Sequence, residues 1–363
     1  MKYRPEPAYR HGDPARTAVL LVNLGTPEQP TAAALRRYLA QFLADPRVVE
    51  IPRLVWWPIL HGLILRTRPA KSAAKYAAVW TPEGSPLMTW TVKQAKLLGG
   101  TLGERGHRVL VRHAMRYGEP AVARVLDELE AEGVRRVLVL PLYPQYAAAT
   151  TASVVDAVAD WARATRHLPE LRFVMRFHDD PGYIAALAQR VIAHWRQHGR
   201  SERLMVSFHG VPRRSLDRGD PYHCECHKTA RLLAERLGLS GAQVVVAFQS
   251  RFGRARWLEP YTEPTLRQLA AQGVRRVDVI CPGFVSDCLE TLEEIAIEAK
   301  ATFLSAGGQE FHYIDGLNDR PEWIGALADL AERHLQGWDT TTPPDERLLA
   351  AQRERARAMG AKT

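Results

Sequence analysis

Two stretches of this chain hold residues able to bind a divalent metal or move a proton. The first is SFHGVP (207–212), in which His209 closes an apolar run and Gly210 and Pro212 permit a sharp turn. Such a turn holds an imidazole at a sheet edge where a ligand can reach it, although a surface or capping histidine is the plainer meaning of a lone His. The second is CPGFVSDCLETLEEI (281–295). Asp287 suits the N-cap of a helix beginning near Cys288, and on that helix Glu290, Glu294 and Glu298 recur at i, i+4 and i+8, sharing one face. Leu289, Leu292 and Ala296 lie on the other. A run of this kind usually means a solvated acidic surface. Here, however, like charges four apart repel, and the row begins at a strand–loop–helix junction. A ridge of hard carboxylate oxygens attracts a divalent cation and passes it on, and imidazole suits Fe(II).

A third stretch, HCECH (223–227), also invites a metal. Its C-x-C spacing is not the C-x2-C of zinc sites, and an iron–sulfur cluster would need Cys224, Cys226, Cys281 and Cys288 to converge, using every cysteine present. Free thiols in a loop are the expectation.

Eight β-branched runs must position these residues: 17–25, 107–118, 135–143, 171–177, 203–210, 242–253, 275–283 and 309–315. Between them lie amphipathic stretches at 121–131, 152–164, 183–198 and 229–238, the alternation of an α/β protein. An internal repeat is visible. GVRRVLVLP (133–141) parallels GVRRVDVICP (273–282), and MRYG (115–118) parallels SRFG (250–253), in the same order and at similar separation. Two halves of like topology follow, each a four-stranded parallel sheet. Ligands of such sheets bind beyond the carboxyl ends of the strands, so Asn23, Tyr117, Tyr143, His209, Ser250 and Pro282 should line a cleft between the halves.

With 363 residues, 46% hydrophobic and 25% charged, the chain has room for two cored domains. Its net charge of +9 favours anionic partners. No strand is followed by GxGxxG and no GxxxxGK[ST] occurs, so nucleotide phosphate has no support. Basic residues are scattered rather than striped, which argues against nucleic acid. The polar start, MKYRPEPAYRHGDPAR, lacks an apolar signal-peptide core, so a cytosolic compartment is expected. The apolar run LVWWPILHGLIL (54–65) is twelve residues long, short of the ~20 that cross a bilayer. It is either a buried helix or loop, or an apolar lip that receives a greasy ligand or touches a membrane surface.

Taken together the motifs resemble the ferrochelatases, of the proteobacterial type. The resemblance runs through LLVNLGTPE (20–28), YAAVWTPEGSPL (76–87), MRYGEP (115–120), LYPQYAAATTAS (142–153), SFHGVP (207–212), GDPYHCECHKTARLL (219–233), FQSRFGRARWLEP (248–260) and CPGFVSDCLETLEEI (281–295). It implies the chelatase fold, two Rossmann-like domains facing a porphyrin cleft. The division would be 1–176 with the apolar lip, joined by a C-terminal helix over 322–363, and 177–321 carrying His209 and Glu290. The implied activity is insertion of Fe2+ into protoporphyrin IX with release of two protons, the last step of haem synthesis. His209 and Glu290 would be the catalytic metal-site pair, with Asp287 and Glu294 relaying metal or protons. Arg68, Tyr76 and Ser85 would lie near the propionates, and Leu24, Tyr117, Tyr143 and Trp257 would line the macrocycle pocket. Leu24 stands where the coproporphyrin-using branch has tyrosine, which leans towards protoporphyrin. Cys288 stands where some relatives carry histidine. No cysteine follows Cys288, so no [2Fe–2S] cluster and no cofactor beyond the substrate iron are expected. A haem carrier, or a chelatase for another metal and tetrapyrrole, would share these features. The expected partners are protoporphyrin IX and Fe2+, with peripheral contact to an acidic membrane left open.

Overall fold

The computed structural model describes residues 3–253 and 255–362. Buried apolar runs form eight strands: β1 (Arg16–Gly25), β2 (Val109–Tyr117), β3 (Val134–Pro141), β4 (Glu170–Phe173), β5 (Arg203–His209), β6 (Val244–Gln249), β7 (Arg276–Ile280) and β8 (Glu310–Ile314). They make two all-parallel sheets, ordered β2-β1-β3-β4 and β6-β5-β7-β8. The second half thus repeats the topology of the first. The turn after the second strand also recurs, with Met115 N–H donating to Pro120 C=O at 2.7 Å and Phe248 N–H to Pro260 C=O at 2.8 Å. All eight runs read from sequence are strands, most of them shorter than read, because several ends turn into the loops of the cleft.

The largest apolar core is continuous between the sheets. It joins Val19, Leu138 and Leu140 of the first sheet to Val206, Phe208 and Ile280 of the second through helix Pro181–His198 and helix Pro321–Leu335. Helix Pro321–Leu335 packs on both helix Pro181–His198 and helix Pro86–Glu104. The last helix, Glu346–Ala358, lies beside the N-terminal segment, where Gly12 meets Leu349 and Arg353.

Three helical segments depart from α geometry. Leu60–Ile64, Ala148–Ala152 and Glu290–Ala299 are π-helical, a form enriched at functional sites. The last corrects the expectation of an ordinary helix under the glutamate row. A π turn holds more than four residues, so side chains four apart stack more nearly in line than they do in an α-helix. A second correction concerns HCECH, which lies in a helix, Tyr222–Leu237, that begins seven residues before the stretch read from sequence. Cys224 faces solvent and Cys226 is buried, since residues two apart point to opposite sides of a helix. His223 and His227 are the neighbours, with ring centroids 4.5 Å apart. Glu225, the middle residue, ties the halves together: it accepts from Tyr146 N–H at 2.7 Å and from Arg176 Nη1 at 2.6 Å.

Candidate active site

His209 is the last residue of β5, paired with Gln249, the last of β6. Its Nδ1 lies 2.6 Å from the Gly210 carbonyl. A carbonyl accepts only, so Nδ1 carries the proton and Nε2 is the free acceptor. A Cβ on Gly210 would sit 2.7 Å from Gln249 O and 3.2 Å from the Trp257 ring, so glycine lets the ends of β5 and β6 close around the imidazole. Trp257 is thereby placed beside His209.

Glu290 opens the π-helix, and Glu294 follows one turn on. Gln249, itself buried, donates from Nε2 to the Glu290 carbonyl at 2.8 Å and lies 3.4 Å from Glu294 Oε2. Ser250 has a left-handed backbone (φ 66°) that aims its N–H at Glu294 Oε1, 2.6 Å away. Burial raises the Glu294 carboxyl above the usual carboxylate range. The Ser250 hydrogen bonds oppose that rise, as does His209 whenever it carries a second proton, while Glu290 adds to it. Glu294 therefore lies within electrostatic reach of both His209 and Glu290. Glu298 departs from the row: with Glu293 it pairs to Lys75, at 2.8 and 3.0 Å, reaching across from helix Leu65–Val79.

Asp287 is held elsewhere. It accepts from Thr291 Oγ1 at 2.9 Å, Asn318 Nδ2 at 2.7 Å, Gly316 N–H at 3.2 Å and the Tyr313 hydroxyl. It thus steadies the first turn through the Thr291 hydroxyl, whereas an N-cap was expected to take a backbone N–H. The difference arises because β8 and the loop after it supply competing donors. A relay through Asp287 would have to displace one of them.

Opposite the glutamates stands an aromatic wall. Tyr38, Tyr76 and Tyr117 form one buried cluster, with Leu24 and, from the other half, Leu289 packed against it. Burial pushes the Tyr76 and Tyr38 phenols well above their ordinary pKa, and the charge of Glu290 pushes both the same way. The Tyr117 hydroxyl donates to Asp45 at 2.8 Å, within a knot that includes Arg116 and Ser153. Among the described residues the Tyr143 hydroxyl and Trp257 Nε1 are buried without a hydrogen-bond partner, as groups with a ligand or water to meet can be. Ser85 accepts from Thr26 at 2.7 Å, and Arg68 stacks on Phe252 of the other half, 3.8 Å from the ring centroid. Of the residues picked from sequence, His209 and Glu290 both lie within reach of Glu294, and Trp257 packs at Gly210, next to His209. Leu24, Tyr76 and Tyr117 share the facing cluster. Tyr38, Gln249 and Lys75 were missed. A fixed signal existed for Gln249 alone, since it occupies the strand end adjoining His209.

Two matched parallel sheets, with an imidazole and carboxylates beyond the strand ends of the second, make an α/β protein of the chelatase type of fold. The solved sirohydrochlorin chelatase SirB from Bacillus subtilis subspecies spizizenii, in complex with cobalt, shares the fold at a TM-score of 0.50 and 13% identity, covering 91% of this chain and 100% of that one. The ferrochelatase family profile matches residues 16–335. The chain is 70% identical over 361 residues to a ferrochelatase of Methylibium petroleiphilum, covering 99% of both chains, and 63% identical over 365 residues to one of Polaromonas sp., covering 99% of this chain and 100% of that one. The chain belongs to the ferrochelatase family.

Proposed function

We propose that this chain inserts Fe2+ into protoporphyrin IX, with His209 and Glu290 as the reacting pair. The observation that carries this reading is the position of Glu290, whose charge reaches Glu294 beside His209 on one side and the buried Tyr38 and Tyr76 of the aromatic wall on the other. Insertion must remove two pyrrole protons and strip water from Fe2+. His209, with Nδ1 committed to the Gly210 carbonyl, offers Nε2 to accept a pyrrole proton. Glu290 hands over the metal, and Glu294 stands next in line behind it. Asp287 contributes by fixing the start of the π-helix. The apolar wall grips the macrocycle faces, and burial at ~25 cal/mol per Å2 provides binding energy that offsets distortion of the ring. Arg68 and Ser85 lie on the side of Tyr76 and suit the propionates, Arg68 by charge-assisted hydrogen bonds.

The roles of the remaining parts belong to the same reading. Residues 1–176 with 322–363, and 177–321, act as the two halves of the clamp. The opposed Cys224 and Cys226 favour unligated thiols over a [2Fe–2S] cluster. Scattered basic residues fit a dianionic porphyrin better than nucleic acid. No described helix is long and apolar enough to cross a membrane. Yet Leu54 is 93%, Leu63 57% and Trp57 45% exposed, and together with Val55 and Ile59 they make an apolar lip suited to peripheral contact with acidic lipid on the cytoplasmic face.

The test is anaerobic incubation of the purified chain with Fe2+ and protoporphyrin IX, followed by the absorbance of the metallated product. His209→Ala should lose at least ~10²-fold in insertion while still quenching porphyrin fluorescence on binding. Near-normal turnover in that variant would remove the assignment. A stable His-ligated haem spectrum without any metallation would mark a carrier instead.

A further inference from the structure

Far from the cleft, helix Pro181–His198 and β8 bring three imidazoles together. His194 and His198, one turn apart, have ring centroids separated by 4.7 Å, and His312 lies 5.3 Å from each. With Zn–N bonds near 2.0–2.1 Å in tetrahedral geometry, imidazoles sharing one zinc have centroids about 5 Å apart. Two of the three are backed by carboxylates. His194 Nε2 faces Asp278 Oδ1 at 3.7 Å, and His312 Nε2 faces Glu310 Oε2 at 3.6 Å. A carboxylate behind one ring nitrogen fixes the tautomer and presents the other nitrogen as a ligand, the usual outer arrangement of metal-bound histidine.

Asp278 is fully buried, and its Oδ2 accepts from Trp195 Nε1 at 2.7 Å. Among the described residues its Oδ1, the His194 Nε2 and the Arg276 Nε have no hydrogen-bond partner, although both nitrogens face that oxygen from 3.7 Å. Three unsatisfied polar atoms at one buried carboxylate call for a cause. A cation on the outer nitrogen of His194 would polarise the ring and draw its N–H onto Asp278. The charged groups around the cluster pair off with no surplus of either sign, Arg276, Arg190 and Arg320 standing against Asp278, Glu310 and Asp315. Arg276 is shared between Asp278, 3.7 Å away, and Glu310, 3.2 Å away, and Arg190 is paired with Asp315. The helix C-terminus, with its partial negative charge, lies within a turn of His194 and His198.

We propose that His194, His198 and His312 form a surface site for a borderline divalent cation of the Zn2+ class, distinct from the cleft. Asp278 sits level with Leu204 on β5, five residues before His209. At 3.3 Å per residue that is about 16 Å back along the strands. Among the described residues no three His, Cys, Asp or Glu side chains already converge on one point, so the exposed His198 must rotate to complete the site.

The test is equilibrium dialysis of the full chain against Zn2+, comparing wild type with His198→Ala/His312→Ala and with Glu310→Gln. The double variant should bind one equivalent fewer, and Glu310→Gln should weaken that equivalent ~10–100-fold, with iron insertion unchanged in both. Zn2+ should raise the Tm of wild type more than that of the double variant. If the double variant misfolds, the Glu310→Gln arm decides, since that residue is exposed. Equal stoichiometry and affinity across the folded proteins would overturn the proposal.

Discussion

His209 owes its position to a neighbour with no side chain. The approach of Gln249 O and the Trp257 ring to Gly210 leaves no room for a methyl group. Gly210→Ala should therefore push β5 and β6 apart at the cleft, costing about 1–3 kcal/mol and lowering kcat by shifting the imidazole. A variant with wild-type Tm and kcat would show that the closeness is unimportant. Glu294 makes a different kind of prediction. Its folded pKa is raised, chiefly by burial. A carboxyl of that kind favours the fold while protonated, and the contribution is lost as pH rises through the folded pKa. Glu294→Gln never ionises, so its Tm should exceed that of wild type at about pH 8 and approach it at about pH 4. Insertion should fall in the same variant, because an amide cannot hold Fe2+ as a carboxylate does. A pH-independent Tm difference would contradict the burial of a titrating group here.

At the scale of elements, the strands were legible because each lies in a parallel sheet covered on both faces and so reads as a nearly unbroken apolar run. His209 and Glu290 were legible for a related reason: each follows such a run at a turn. The π-helix was not, because Glu290, Glu294 and Glu298 have the same spacing whichever helix they occupy. Nor could spacing reveal that Lys75 draws Glu298 away from that row, since the two are far apart in sequence. HCECH lies in a helix and not in the loop expected, because its five polar residues carry no apolar period; a helix separates residues two apart and joins those four apart. The apolar stretch from Leu54 to Leu65 left two readings open, and its two tryptophans divide between them. Trp56 is buried, with its N–H on Leu43 C=O at 2.7 Å, while Trp57 is exposed. Trp56→Ala should cost about 3–5 kcal/mol in chemical unfolding. Trp57→Ser should stay within about 0.5 kcal/mol of wild type. Equal losses would mean that the helix buries both rings.

For the whole molecule, the exposed half of that helix can be tested as a docking face. Vesicles containing acidic lipid should retain wild type on flotation and release a Leu54→Ser/Trp57→Ser variant whose iron insertion into detergent-solubilised porphyrin is intact. Equal retention of both proteins would dismiss the lip as a docking face. The helical backbone runs without a break from Arg53 to Val79. Its outer end bears Leu54 and Leu63, and its inner end bears Tyr76 on the aromatic wall and Lys75 on the glutamate helix. A single strut thus has one foot outdoors and its shoulder against the machinery. Whatever lands on the foot therefore bears on the same beam whose Lys75 clasps Glu293 and Glu298 on the far side.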